Sequence, residues 1–218
     1  ASDVYKRQII DSANALLKDK EDERPTREEA EKAVKVLIEW AGDDPSREGL
    51  IETPKRVVKA FEEYFAGYSK IPKNILEKTF SETGNYQDFV MLKNIEFRSH
   101  CEHHLAPIIG NASVAYIPDG KVVGISKLAR IVDVFAKRLQ TQETMTSQIA
   151  NSIQNNLNPK GVAVSISAEH HCMSSRGVKK AHVDMTTTFF TGNFKENLNL
   201  QNRFLISCLL YTSPSPRD

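Results

Sequence analysis

Only three cysteines, Cys101, Cys172 and Cys208, occur in 218 residues, too few and too scattered for a disulfide framework. No apolar run approaches the length that crosses a bilayer. The opening ASDVYKRQII does not have the basic-then-apolar order of a secretory signal. Together these features predict a protein of the reducing cytoplasm, where thiols stay available for metal. Net charge is almost absent: 29 Lys and Arg stand against 28 Asp and Glu. That balance argues against a general nucleic-acid or membrane surface, so any anion site must be local. There is no internal repeat. What remains is a chain long enough for one full domain plus an appendage, with a real core.

Two helices open the fold. In PTREEAEKAVKVLIEWAG, Thr26 is an N-cap with Glu29 three residues on, the pattern of a capping box. Ala30, Ala33, Val34, Leu37, Ile38 and Ala41 follow at helical spacing, and Gly42 ends the run. In ETPKRVVKAFEEYFAGY, Thr53 caps, Pro54 takes the first helical position, and Val57, Phe61 and Phe65 form a stripe. Each helix has one apolar face and so needs a surface to pack on.

From about residue 88 the texture changes to strands. FVMLKNIEF, NASVAYI, VAVSISA and HVDMTTTFF are β-rich, and PDG at 118–120 reads as a turn between two strands. SKLARIVDVFAKRL and QETMTSQIANSIQNNL are helical, and KENLNLQNRFLIS offers a last helix. The order predicts an α+β fold: N-terminal helices, then an antiparallel sheet with two helices on one face. Residues 1–25 read as an extension partly foreign to the fold, 26–85 as a helical region and 86–205 as the main domain. Residues 206–218, with Pro- and Ser-rich CLLYTSPSPRD, read as a non-native or disordered tail, and Cys208 is set aside with it.

The stretch SHCEHHLAP, residues 99–107, holds one cysteine, one glutamate and three histidines in five consecutive positions. Cys101 and His104 form a C-x-x-H pair that chelates one ion only if the backbone bends, because positions i and i+3 of a straight strand face opposite ways. Pro107 is the nearby sign of such a break. A second cluster, EHHCMSSRG at 169–177, follows a strand in which Val162, Val164 and Ile166 alternate. If the strand continues, His170 and Cys172 share that face. Cys172 then completes a Cys, His, Cys set, leaving one tetrahedral position open as in catalytic zinc sites. Either cluster alone reads as a free thiol among solvated histidines; the two together read as metal. His103 and His170 each neighbour a proposed ligand and suit proton transfer. His100, His171 and His182 read as ordinary polar residues.

Basic residues gather in two places. GISKLARI gives Ser126 as a helix cap with Lys127 and Arg130 in the first turns, and SSRGVKK puts Arg176 beside the second cluster. Helix starts with added cations suit phosphate, although each basic pair alone is more often a solvated face. Gln142 and Glu143 open another helix, where Glu complements the dipole. A Gln–Glu pair can also read the edge of a guanine.

Taken together, ETPKRV, CEHH, GISKLARIV, QTQE and HCMSSRG resemble GTP cyclohydrolase I from about residue 28 to 205. The resemblance implies a tunnelling fold, in which sheets of several subunits form a barrel. It implies an enzyme that turns GTP into dihydroneopterin triphosphate as a homodecamer of two pentamers, with sites at subunit borders. It implies zinc on Cys101, His104 and Cys172, and catalytic His103 and His170. Gln142 and Glu143 would anchor guanine. Ser126, Lys127, Arg130 and Arg176, with Arg56 from another subunit, would meet the triphosphate and ribose. His171 stands where the family often has tyrosine and receives no role. Two other readings compete: a tunnelling-fold lyase of the pyruvoyl-tetrahydropterin synthase kind, against which the two cysteines count, and a non-enzymatic protein with structural zinc.

Overall fold

A computed structural model describes residues 24–81 and 86–209. The expected N-terminal extension lies almost wholly outside these residues, as do positions 210–218. The chain divides after Glu62 into two compact units.

In the first unit, helix α1 (Arg27–Trp40) starts as its sequence predicts. The Glu29 N–H donates to Thr26 Oγ1 at 3.2 Å, and the Thr26 N–H donates to the Glu29 carboxylate at 2.7 Å. Gly42 adopts φ +96° just past the helix end, a conformation that strains any residue with a Cβ. In the turn beyond, the Arg47 guanidinium holds the Asp43 carboxyl down to about 2. Helix α2 (Thr53–Tyr64), which runs across the division, differs slightly from expectation. Thr53 is its first helical residue rather than a cap, and its hydroxyl reaches back to the Gly49 carbonyl at 3.5 Å. Helix α1 buries no side chain, and Leu37 and Trp40 remain 62% and 85% exposed. Its apolar stripe therefore has no complete cover among the described residues of its own unit.

The second unit begins with a 3₁₀ turn (Ala66–Ser69) and α3 (Pro72–Leu76), then strands β1 (Thr79–Phe80), β2 (Val90–Cys101) and β3 (Pro107–Ile117). After β4 (Val122–Val123) come α4 (Ile125–Ala136), β5 (Leu139–Gln140) and α5 (Gln142–Leu157). The chain closes with β6 (Gly161–His170), α6 (His171–Ser174), β7 (Asp184–Phe190), α7 (Gly192–Glu196) and α8 (Leu198–Leu209). The main sheet has the order β5-β2-β3-β6-β7 and is antiparallel except where β5 joins β2 in parallel. The turn at 118–120 does not fold β4 back on β3; β4 pairs with β1 in a separate ribbon. The Tyr116 hydroxyl accepts the Val123 N–H and ties that ribbon to the sheet.

Helices α4 and α5 cover one face, as the apolar spacing predicts. Leu128, Ile131, Val132, Met145, Ile149 and Ile153 are fully buried against Val114, Tyr116, Val164 and Ile166. Each such aliphatic side chain contributes roughly 1.5–3 kcal/mol by leaving water. The C-terminal helices α7 and α8 cover part of the other face, placing Phe194 and Phe204 against Ala115, Ile117 and Ala163. Helix α8 continues to Leu209, so the boundary expected at 206 falls inside a helix. Cys208 packs against this second cluster, and burial pushes its thiol up. No helix among the described residues is long and apolar enough to cross a membrane.

One close approach fixes how β3 and β6 meet. A Cβ on Gly110 would sit 2.2 Å from the Ser167 carbonyl oxygen and 2.5 Å from Ala168 Cβ. Neither neighbour is a flexible chain end, so Gly110→Ala must shift the strands. It should cost about 1–3 kcal/mol, read as a lower thermal midpoint, whereas an unchanged midpoint would show that the strands give way freely.

Candidate active site

The register of three strands assembles the site. The last β2–β3 pair is His100 with Pro107, and the neighbouring β3–β6 pair is Ile108 with His170. The loop after β2 and the end of β6 therefore lie at the same end of the sheet, separated only by β3. Residues 102–106 reverse the chain: the Cys101 N–H donates to the Ala106 carbonyl at 2.8 Å and the Leu105 N–H to the Cys101 carbonyl at 2.9 Å. The bend required for C-x-x-H chelation is thus present, but its cause differs from expectation. Leu105 makes the reversal at φ +55°, while Pro107 is already the first residue of β3. A leucine in the left-handed region costs on the order of 1 kcal/mol, which the loop bears next to the candidate ligands.

Cys172 also arrives by another route than expected. The strand ends at His170, and residues 171–174 form a single helical turn. His170 stays on the face shared by Val162, Val164, Ile166 and Ala168, while the turn rather than strand alternation carries Cys172. The outcome is convergence: donor atoms of Cys101, His104 and Cys172 lie within 4.8 Å of one another. Two sulfurs and one imidazole at that spacing fit a tetrahedral zinc, needing only small side-chain adjustments to reach about 2.0–2.3 Å from one ion. Cys101 is buried, Cys172 half-buried and His104 exposed. Burial, together with the neighbouring Cys101, pushes the Cys172 thiol up, and Arg176 opposes that shift. Arg176 is therefore within electrostatic reach of the cluster.

His103 is exposed, with Nδ1 3.5 Å from Cys101 Sγ and Nε2 3.9 Å from the Glu102 carboxylate. Burial lowers the pKa of His170, and the Glu143 carboxylate partly offsets this. Glu143 itself is exposed in the first turn of α5, whose cap is Thr141. Gln142 differs. It is fully buried, and its side chain is engaged by Ile166, Met185, Thr187 and His170. Thr146 and Thr187, which join this network, were not singled out from the sequence. The signal was there: Gln142, Thr146, Ile149 and Ile153 fall on one stripe, so two polar residues occupy a buried face.

The basic residues are spread over several elements. Ser126 is not the cap of α4, since Gly124 holds that position without a side-chain bond. The far end of α4 adjoins Ser99 through Arg138. At 1.5 Å per residue, Ser126 lies about 15 Å along the helix from that end. Lys127 follows Ser126 at the helix start, Arg130 lies midway along the helix, and Arg56 is exposed on α2 in the first unit. His171 is half-buried in the α6 turn and His182 is exposed. His100 stacks on Tyr64 at 4.7 Å, and burial lowers its pKa. A cavity of about 810 Å³ includes none of the three donors. It lies over the opposite face of the sheet, beside Glu96, Arg98, Glu169 and Asp184.

An α+β domain that brings two thiols and an imidazole together at one sheet end, with further histidines beside them, defines a candidate metal-dependent enzyme. Residues 30–208 match the family model described as GTP cyclohydrolase I. GTP cyclohydrolase 1 of Hyphomonas neptunium is 60% identical over 185 residues, covering 85% of this chain and 90% of that protein. The protein of the same name from Maricaulis maris is 58% identical over 182 residues, covering 84% and 89%. The chain belongs to the GTP cyclohydrolase I family. Among solved structures, an archaeosine synthase QueF-like protein in the apo form aligns with 50% of this chain and 98% of its own, at 21% identity and TM-score 0.42. That likeness is too distant to add to the fold described above.

Metal uptake tests the donor set. Cys172→Ser should lose stoichiometric zinc while keeping its far-ultraviolet circular dichroism. Because the raised Cys172 thiol must give up its proton to bind, zinc affinity of the unaltered protein should fall between pH 8 and 6. Full zinc content in the variant would rule Cys172 out as a ligand.

Proposed function

We propose that this chain converts GTP and water into 7,8-dihydroneopterin triphosphate and formate, using zinc held by Cys101, His104 and Cys172. The observation that carries the reading is the convergence of those three donors in a member of this family, from elements about 70 residues apart. Thiolate ligands also favour a reducing compartment such as the cytoplasm. Zinc bound there supplies Lewis acidity that makes water a usable nucleophile near neutral pH.

The residues of the chain do the rest. Glu143, exposed at the start of α5, accepts the N–H groups of the guanine edge and turns C8 toward the thiols. Gln142 supports that helix start from inside, since its side chain is buried. Opening of the imidazole ring requires a proton on the departing nitrogen, and His103, beside Cys101, is placed to give it. His170, neutral and half-buried beside Glu143, takes and returns protons while the ribose rearranges and the new ring closes. Arg176, near Cys172, meets the triphosphate through charge-assisted bonds.

The remaining anion ligands come from a second copy in this reading. Ser126 and Lys127, at the far start of α4, and Arg130, midway along it, serve a neighbouring copy, and Arg56 joins them from another subunit. Among the described residues, strand β7 pairs on one side only and α1 buries no side chain. Ring closure of five copies, with two rings face to face, covers both and places the sites at subunit borders. A histidine-only lyase centre is disfavoured by the two thiol donors.

A fluorescence assay for the pterin product tests the reading. Zinc-loaded protein should form it from GTP with one formate released. His103→Ala and His170→Ala should keep their zinc and lose turnover by roughly 10²-fold or more. Near-normal turnover in either variant would remove that histidine from the chemistry. Arg176→Ala should weaken GTP binding far more than guanosine binding; equal losses would show that it does not meet phosphate.

A further inference from the structure

The Gln142 amide can be oriented in only one way. Its Nε2 lies 3.1 Å from the Ile166 carbonyl oxygen, 2.8 Å from the Met185 carbonyl oxygen and 3.2 Å from Thr187 Oγ1. Carbonyl oxygens only accept, so turning the amide over would set oxygen against oxygen at two points. The hydroxyls agree. Thr146 Oγ1 lies 2.6 Å from the Gln142 main-chain oxygen and must give its one proton there. Thr187 then donates across 2.7 Å to Thr146 Oγ1, which leaves its lone pairs facing the Gln142 nitrogen. Oε1 of Gln142 is left 2.8 Å from His170 Nε2. An amide oxygen has no proton to give, so His170 Nε2 carries the hydrogen.

We propose that Gln142 is a positioning residue that holds His170 as the Nε2–H tautomer, leaving Nδ1 as the atom of the neutral ring that accepts a proton. Its relevance to turnover rests on the proposed catalytic role of His170. It also replaces a side-chain contact between Gln142 and guanine, because the side chain is fully buried and its polar atoms are committed. The network extends across α5, β6 and β7, so the ring is referred to the core of the sheet rather than to a loop. A tautomer fixed from behind costs no reorganisation at the moment of proton transfer.

The test uses the zinc-loaded full chain with ¹⁵N-labelled histidine, and long-range ¹H–¹⁵N correlation to read both His170 nitrogens. The expected spectrum shows Nε2 protonated and Nδ1 bare. In Gln142→Met that preference should be lost, with kcat lower by about 10- to 100-fold and KM for GTP within about threefold. Ile153→Val, a buried change on the same helix, should lower stability but keep both the tautomer and kcat. A bare Nε2 in the unaltered protein overturns the proposal, and that spectrum decides even if Gln142→Met does not fold. A raised KM with unchanged kcat in Gln142→Met also overturns it, as does an equal loss of kcat in Ile153→Val. If His170→Ala keeps its turnover, the catalytic reading fails, while the tautomer assignment still stands or falls on the spectrum.

Discussion

The site depends on the pairing of β3 with both of its neighbours. Strand β3 joins the loop that carries Cys101 and His104 to the strand end that carries His170 and Cys172. A one-residue slip of either ladder would turn Cys101 or His170, each the last residue of its strand, to the opposite face, because side chains alternate with a period of two. The close fit at Gly110 and the buried row Val162, Val164, Ile166 and Ala168 both resist that slip. A metal centre could not be built from residues so far apart in sequence on a sheet with a loose register. The core that looks remote from the chemistry therefore fixes the distance between its two halves.

The chemistry is laid out from the outside inward. His103, His104 and Glu143 are exposed, Cys172 and His170 are half-buried, and Cys101 and Gln142 are buried. Exposed groups suit contact with a charged nucleotide, and the buried ones hold geometry. Both Gln142 and Glu143 belong to the first turn of α5, so one helix start serves both purposes. It aims a carboxylate outward and an amide inward. Neighbouring residues in the chain thus take opposite roles, and the difference lies in the direction of their side chains rather than in their type.

Much of this was legible in the sequence. The capping box at Thr26 and Glu29, the bounds of α5 and the Cys, His, Cys donor set all follow from local pattern, and the structure contains them. What local pattern missed was set by tertiary context. Leu105 adopts a left-handed conformation that nothing in a leucine favours, so the bend was attributed to Pro107. The helical turn carrying Cys172 interrupts an alternation that would otherwise have continued. Gln142 looked like a surface helix start, and only the arrival of β7 from more than 40 residues downstream shows it to be buried. The place of Ser126 and Lys127 at the start of α4, away from the helix end beside Ser99, is likewise invisible, because motif order says nothing about which end of the sheet a helix start reaches.

The central claim is that two separated segments deliver two thiolates and one imidazole to a single zinc, with one position left for water. X-ray absorption at the zinc edge of the loaded protein reads that donor set directly. Two sulfur scatterers at about 2.3 Å and two nitrogen or oxygen scatterers at about 2.0–2.1 Å are expected. A first shell with one sulfur or none, or with four protein donors and no exchangeable oxygen, would contradict the claim.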